Sequence, residues 1–131
     1  MTESFQISTH ARSEFIDITR QVMNALSSST IHDGICQVFV PHTTAGIVIN
    51  ENADPDVTAD IIEALDRTIP WRNNYHHGEG NSAAHIKASL MGSSVLIPVR
   101  DGHLVLGTWQ GIYFCEFDGP RMRKVVVNIL G

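Results

Sequence analysis

"SVLIPVRDGHLVLGTWQGIYFCEFDGPRMRKVVVNIL" (residues 94–130) decides the fold class. β-branched and aromatic residues dominate it, and no helical apolar stripe interrupts it. Two turn signals punctuate it. Asp101-Gly102 between apolar runs is a strong hairpin signal, and Asp118-Gly119-Pro120 marks a second turn. Strand following strand with no helix between excludes a wound parallel sheet and points to an α+β or sandwich-type protein with mixed β-sheets.

The first two thirds of the chain supply the helices. "SFQISTH" (4–10) and "EFIDIT" (14–19) alternate as two short strands. Thr19 is placed to cap a short helix with Val22, Met23 and Leu26 on its apolar side. "GICQVFVPHTTAGIVIN" (34–50) is two β-branched runs broken by a polar segment at Pro41–Thr44, which belongs at a sheet end. In "NADPDVTADIIEALDRTIP" (52–70), Asp54 can cap a helix and Pro55 fits its first turn, where a missing N–H costs nothing. Val57, Ile61 and Leu65 then face a core and Asp60, Glu63 and Asp66 face water. A third helix fits "NSAAHIKASLMG" (81–92), capped by Asn81 or Ser82, stopped by Gly92, with Ile86 and Leu90 as its buried stripe. The expected total is about eight strands and three helices in one domain spanning residues 1–131.

Composition excludes several function classes. A net charge of −5 across 131 residues provides no broad basic surface for nucleic acid. Arg121, Arg123 and Lys124 make a local basic cluster, suited to one small anionic ligand. No run approaches about 18 apolar residues, so no membrane span is expected. Cys36 and Cys115 are isolated in apolar runs and read as buried thiols, and the cytoplasm is the expected compartment.

Chemistry concentrates in "NYHHGEGNSAAHIK" (74–87). His77 and His85 flank a loop bracketed by Gly78 and Gly80, whose flexibility lets two imidazoles converge. Ala88, Ser89 and Gly92 leave room beside His85, and His42, in the polar break between strands, is the natural third ring. Three neutral imidazoles with an open fourth position make a zinc-type site. Adjacent residues of an extended segment face opposite sides, so His76 is expected to point elsewhere. His10, His32 and His103 read as ordinary solvated histidines. Glu79 can act as general base or orient an imidazole, and Glu51 follows a core strand directly. Glu116 is either an edge residue or a buried partner for a cation. Thr108 and Gln110 are expected on one strand face, bracketed by Gly107 and Gly111, with Trp109 on the other.

Three blocks, "HTTAGIVINENADPDV" (42–57), "YHHGEGNSAAHIKASLMG" (75–92) and "GTWQGIYFCEFDGPR" (107–121), resemble in order and spacing the signature blocks of the YjbQ family, often labelled secondary thiamine-phosphate synthase. The resemblance covers essentially the whole chain. It implies a compact β-sandwich, related to jelly rolls, with two or three helices packed to one side and a homotrimeric assembly. It also implies a divalent metal, usually zinc, held by His42, His77 and His85. Glu79 and Glu51 would be the catalytic carboxylates, and Thr43, Asn52, Lys87, Thr108, Gln110 and Arg121 would bind a small phosphorylated or anionic substrate. The chain departs from the family at Ala83, where many members carry an acidic residue.

The sequence has no Gly-rich phosphate loop and no carboxylate cluster of the kind that holds magnesium on a diphosphate. Three functions therefore stand side by side: a thiamine-phosphate synthase, a zinc-dependent hydrolase, and a non-catalytic metal- or anion-binding trimer.

Overall fold

A computed structural model describes residues 1–131. Eight strands and three helices follow in the order β1 (Thr2–Ser8), β2 (Glu14–Asp17), α1 (Thr19–Ser27), β3 (Gly34–Phe39), β4 (Ala45–Glu51), α2 (Pro55–Thr68), α3 (Ser82–Met91), β5 (Ser94–Arg100), β6 (His103–Leu104), β7 (Gln110–Glu116) and β8 (Met122–Leu130). They build a five-stranded sheet in the order β1-β8-β3-β5-β6 and a three-stranded sheet in the order β2-β7-β4. Every pairing is antiparallel, so the expectation of mixed sheets is corrected. A parallel pair needs a crossover of a dozen or more residues, and α2 and α3 do not serve as one.

Alternation along β7 explains the layering. Ile112 and Phe114 join the main core between the sheets, with Cys36, Val38, Ile47, Ile97, Val125 and Val127. Tyr113 and Cys115 point the other way, into a smaller cluster with Ala84, Ala88 and Phe117. The three-stranded sheet is thus covered on both faces, by the larger sheet and by helix α3, while α1 adds Val22, Ala25 and Leu26 to the main core.

The Asp54 cap and the Asp101-Gly102 hairpin are as expected. Asp54 accepts a hydrogen bond from the Asp56 N–H at 2.9 Å, and Asp101 and Gly102 both take positive φ, joining β5 to β6. Thr19 is a correction. Its hydroxyl donates to Asp17 Oδ1 at 2.6 Å and accepts from the Ile112 N–H at 2.8 Å, so it ties α1 to β7. Asp17 also accepts from the Thr19 N–H, and the N-cap position itself is Ile18, which has no side chain able to cap. The β6 strand stops at Leu104, which leaves Thr108 and Trp109 in a turn rather than on a strand face.

Helix α3 overturns its predicted stripe. Ala83, Ala84, Lys87 and Ala88 are buried, whereas Ile86 and Leu90 are exposed. The reason is close approach: a Cβ on Gly46 would stand 2.8 Å from the Gly92 carbonyl oxygen, so only small side chains fit between helix and sheet. Helix α2 turns Val57, Ile61 and Leu65 inward as expected, yet none of its residues is fully buried.

Three connections, β1 to β2, β3 to β4 and β7 to β8, carry the chain from one sheet to the other and meet at one end of the sandwich. A buried ion pair holds them. Glu116 is fully buried and Arg123 nearly so. Glu116 Oε1 accepts from Arg123 Nε and from the Thr9 hydroxyl, both at 2.8 Å. Its Oε2 accepts from Arg123 Nη2 and from the N–H groups of Phe117 and Asp118. Arg123 Nη2 also donates to Thr44 Oγ1 at 2.8 Å. Burial alone would push the Glu116 carboxyl up, but the bonds from Arg123, Asp118 and Thr9 prevail and hold it below the ordinary carboxylate value.

Replacing Arg123 with Met strands the Glu116 carboxylate and should cost about 3–5 kcal/mol in urea denaturation, most of which a Glu116→Leu/Arg123→Met double variant should recover. Because the folded pKa is depressed, the carboxylate's contribution should be intact above about pH 4.5 and fade as pH falls through the folded value, a dependence absent from the double variant.

Candidate functional site

The crossing end of the sandwich opens into a cavity of about 750 Å³. Its walls come from the β3–β4 connection (His42, Thr43, Thr44), the loop before α3 (His77, Glu79), the first turns of α3 (Asn81, His85) and the β7–β8 turn (Asp118, Arg121). Loops gather here because three of the connections that change sheets, β1 to β2, β3 to β4 and β7 to β8, cross at this end. Polar side chains follow, since loop backbone and solvent are both within reach.

Six of the predicted site residues share this cavity: His42, Thr43, His77, Glu79, His85 and Arg121. The rings of His77 and His85 stand edge to face, centroids 5.4 Å apart, close to the roughly 5 Å that two imidazoles would show on one tetrahedral ion at zinc–nitrogen lengths. Glu79 Oε1 lies 3.9 Å from His77 Nε2. No three His, Cys, Asp or Glu side chains converge far enough, as placed, to enclose an ion. Imidazole and carboxylate are donor types that a divalent ion takes, and here two rings and one carboxylate lie side by side. His76 lies outside the main cavity, lining a neighbouring depression that shares His77 and His85.

His42 is held differently. The register that sets Phe39 of β3 opposite Val126 would, if continued, set Pro41 opposite Lys124. The chain instead leaves the sheet there, and the Lys124 N–H donates to His42 Nε2 at 2.9 Å. Burial first, and the Arg123 charge second, push the His42 pKa below the ordinary imidazole value.

Arg121 donates from Nε to the Asp118 carbonyl at 2.9 Å and pairs with the Asp118 carboxylate at 3.2 Å, leaving other guanidinium N–H groups free. Asn81 donates to the same carboxylate at 2.8 Å. Asn81 occupies the N-cap position of α3 without making a side-chain cap bond, and in the sequence Asp118 is simply a turn residue. Nothing in the sequence links two residues that far apart.

The other predicted site residues lie elsewhere. Glu51 and Gln110 face each other across β4 and β7, Asn52 donates to Asp17 at 3.2 Å, and Gln110 accepts from the Gly107 N–H of the turn that holds Thr108. This group occupies the far end of the three-stranded sheet, about 20 Å from Thr44 at strand rise over seven-residue β4. Lys87 is buried outside the cavity, its ammonium bonded to Asp66 between α2 and α3. Arg123, counted in the basic cluster, spends its charge on Glu116. Ala83 is fully buried in the helix–sheet contact.

Comparison with known proteins agrees with this architecture. The family model for UPF0047 protein YjbQ-like matches residues 3–131. A UPF0047 protein of Methanocaldococcus jannaschii is 55% identical over 131 residues, covering 100% of this chain and 95% of the relative. The UPF0047 protein YugU of Bacillus subtilis is 51% identical over 132 residues, covering 100% of both. A crystal structure of an uncharacterized yjbq/upf0047 family protein from Clostridium acetobutylicum superposes with a TM-score of 0.96 at 58% identity, covering 98% of this chain and 99% of that one. A YbjQ-like protein of unknown function from Sulfolobus solfataricus gives 0.96 at 38% identity, covering 100% and 96%. No helix is long and apolar enough to cross a membrane.

If Lys87 serves α2–α3 packing, Lys87→Met should change chemical stability by less than about 1 kcal/mol, because an apolar chain fills its slot. Asp66→Asn should cost about 2 kcal/mol by leaving the buried ammonium without its charge partner. Phosphate affinity measured by calorimetry should be the same for Lys87→Met and the parent protein.

Proposed function

The chain belongs to the YjbQ-like UPF0047 family, and we propose that it binds a divalent metal, best met by zinc, and uses it on a small phosphorylated or otherwise anionic molecule. One observation carries the reading: His77 and His85 stand at the spacing of two rings on a common ion, inside a polar cavity that also holds a carboxylate and an arginine. His77 and His85 would hold the metal, with Glu79 the nearest carboxylate. A metal there would polarise a bound oxyanion or lower the pKa of a bound water. The residues' own parts are distinct. Arg121 attracts the anion, Thr43 offers a hydroxyl, and Glu79 takes a proton or completes the coordination.

Among the candidate activities, a hydrolytic one fits this cavity better than thiamine-phosphate synthesis. The synthase reaction brings together two phosphorylated reactants and releases pyrophosphate. Arg121 is the cavity's half-exposed arginine, whereas the Arg123 guanidinium is buried against Glu116 and Lys87 is bonded to Asp66 outside the cavity. One anionic group is what this cavity can hold well.

A homotrimer completes the reading. On the outer face of the larger sheet, Ile35 lies opposite both Leu130 and Pro98, and Leu96 and Leu130 are 65% and 62% exposed. A contiguous apolar face of this kind is normally covered by a partner. Assembly would also give the far polar group, Glu51, Asn52, Thr108 and Gln110, its one route to another cavity, that of a neighbouring copy. Cytoplasmic residence goes with the free, buried thiols of Cys36 and Cys115.

Metal analysis of the purified protein should find one zinc per chain, lost in His85→Ala and kept in His76→Ala; full zinc content in His85→Ala would end the proposal. In light scattering the parent protein should show three times the chain mass across a wide concentration range. Leu96→Lys should shift that mass toward the single chain, and a parent that is monomeric throughout would rule the trimer out.

A further inference from the structure

We infer that His42 is not a metal ligand but a neutral hydrogen-bond donor, presenting Nδ1–H to the anionic group that Arg121 attracts. The inference rests on the functional reading above for the site it serves, and on one hydrogen bond for its own content. The Lys124 backbone N–H donates to His42 Nε2 at 2.9 Å. A nitrogen that accepts a proton donor carries its lone pair there, so the neutral ring must carry its hydrogen on Nδ1. That nitrogen has no lone pair left for a metal, and Nε2 has already spent its own.

The bond is built into the fold. Pro41 stands where the β3–β8 ladder would continue, and the chain turns away at that point toward the second sheet. The N–H of Lys124 thereby loses a strand partner, and the His42 ring replaces it. Recruiting Nε2 to an ion would strip this N–H of its acceptor. Nδ1 faces the opposite case. It has no protein partner, and Asn81 Oδ1 is the sole buried side-chain nitrogen or oxygen without one, so Nδ1 is open rather than enclosed. His42 and Arg121 line the same cavity, and Arg121 keeps unbonded guanidinium N–H groups. A neutral N–H beside a guanidinium suits an oxyanion. The donor adds a directed bond without a second full charge, and two free N–H sources can engage two oxygens of one phosphate.

The test uses the full-length protein, zinc and inorganic phosphate. Long-range ¹⁵N–¹H imidazole spectra should show His42 with Nδ1 protonated and Nε2 not, both before and after zinc is added. His42→Ala should keep zinc at the parent stoichiometry and weaken phosphate binding about tenfold, the effect of losing one directed bond to a charged group. His42→Asn, whose amide N–H can stand near the Nδ1 position, should lose less than about threefold. Three results would each overturn the inference: a His42 nitrogen taking on a metal-bound shift, zinc lost in His42→Ala as in His85→Ala, or phosphate affinity unchanged in His42→Ala. If the parent binds no zinc, the assignment of His77 and His85 fails, while the tautomer and phosphate measurements still decide His42.

Discussion

The Glu116–Arg123 pair is the constraint on which the remaining structure depends. Glu116 ends a strand of the smaller sheet and Arg123 begins one of the larger, so their contact fixes the two sheets against each other at one end. A buried pair adds little net stability over apolar packing of the same shape, because removing two charges from water costs nearly what their attraction returns. What it adds is position. Each carboxylate oxygen is saturated, by Arg123 and Thr9 on one side and by Arg123, Phe117 and Asp118 on the other. Those partners belong to two of the three connections that cross at this end, and Arg123 reaches the third through Thr44. No connection can shift without leaving a charge unsatisfied in the core.

The cavity is a consequence of that arrangement. Strands that change sheets must be joined by chain that runs across the end of the sandwich, and such chain is polar because its backbone lacks ladder partners. Thr44 connects the two regions directly, with its hydroxyl on Arg123 and its neighbours His42 and Thr43 in the cavity. From the other side α3 delivers His85. It lies close enough to the sheet to do so because its inner face is alanine and Gly46 receives it without a side chain.

Sequence patterns that depend on neighbours in the chain were readable. Strand alternation, the Asp-Gly hairpin and the Asp54-Pro55 helix start each involve residues a few positions apart, where backbone chemistry leaves few alternatives. Three-dimensional choices were not. Ile86 and Leu90 look like a buried stripe, yet the side of α3 that packs was chosen by closeness of approach, which favours Ala84 and Ala88 over larger apolar residues. Thr19 has the chemistry of a cap, but Asp17 and Ile112 of a distant strand take up its hydroxyl, and the N-cap position falls on Ile18. The site divided along the same line. His77, Glu79 and His85 come from one local segment and meet. Glu51, Asn52, Thr108 and Gln110 sit near them only in a list of polar residues, because β4 and β7 carry them the length of the sheet away. Arg123 and Lys87 show the converse: a basic side chain in sequence is no free charge once it is buried with a carboxylate bonded to it.

His42 joins these two levels most closely. Its ring occupies the place a strand would have taken had Pro41 not led the chain away, so its orientation is fixed by the need of one backbone N–H for an acceptor. The same bond decides which ring nitrogen keeps its proton, and with it whether the side chain can give or receive. A histidine placed by flexible loop packing could turn to suit a ligand. One that terminates a ladder has its chemistry chosen by the fold before any ligand arrives.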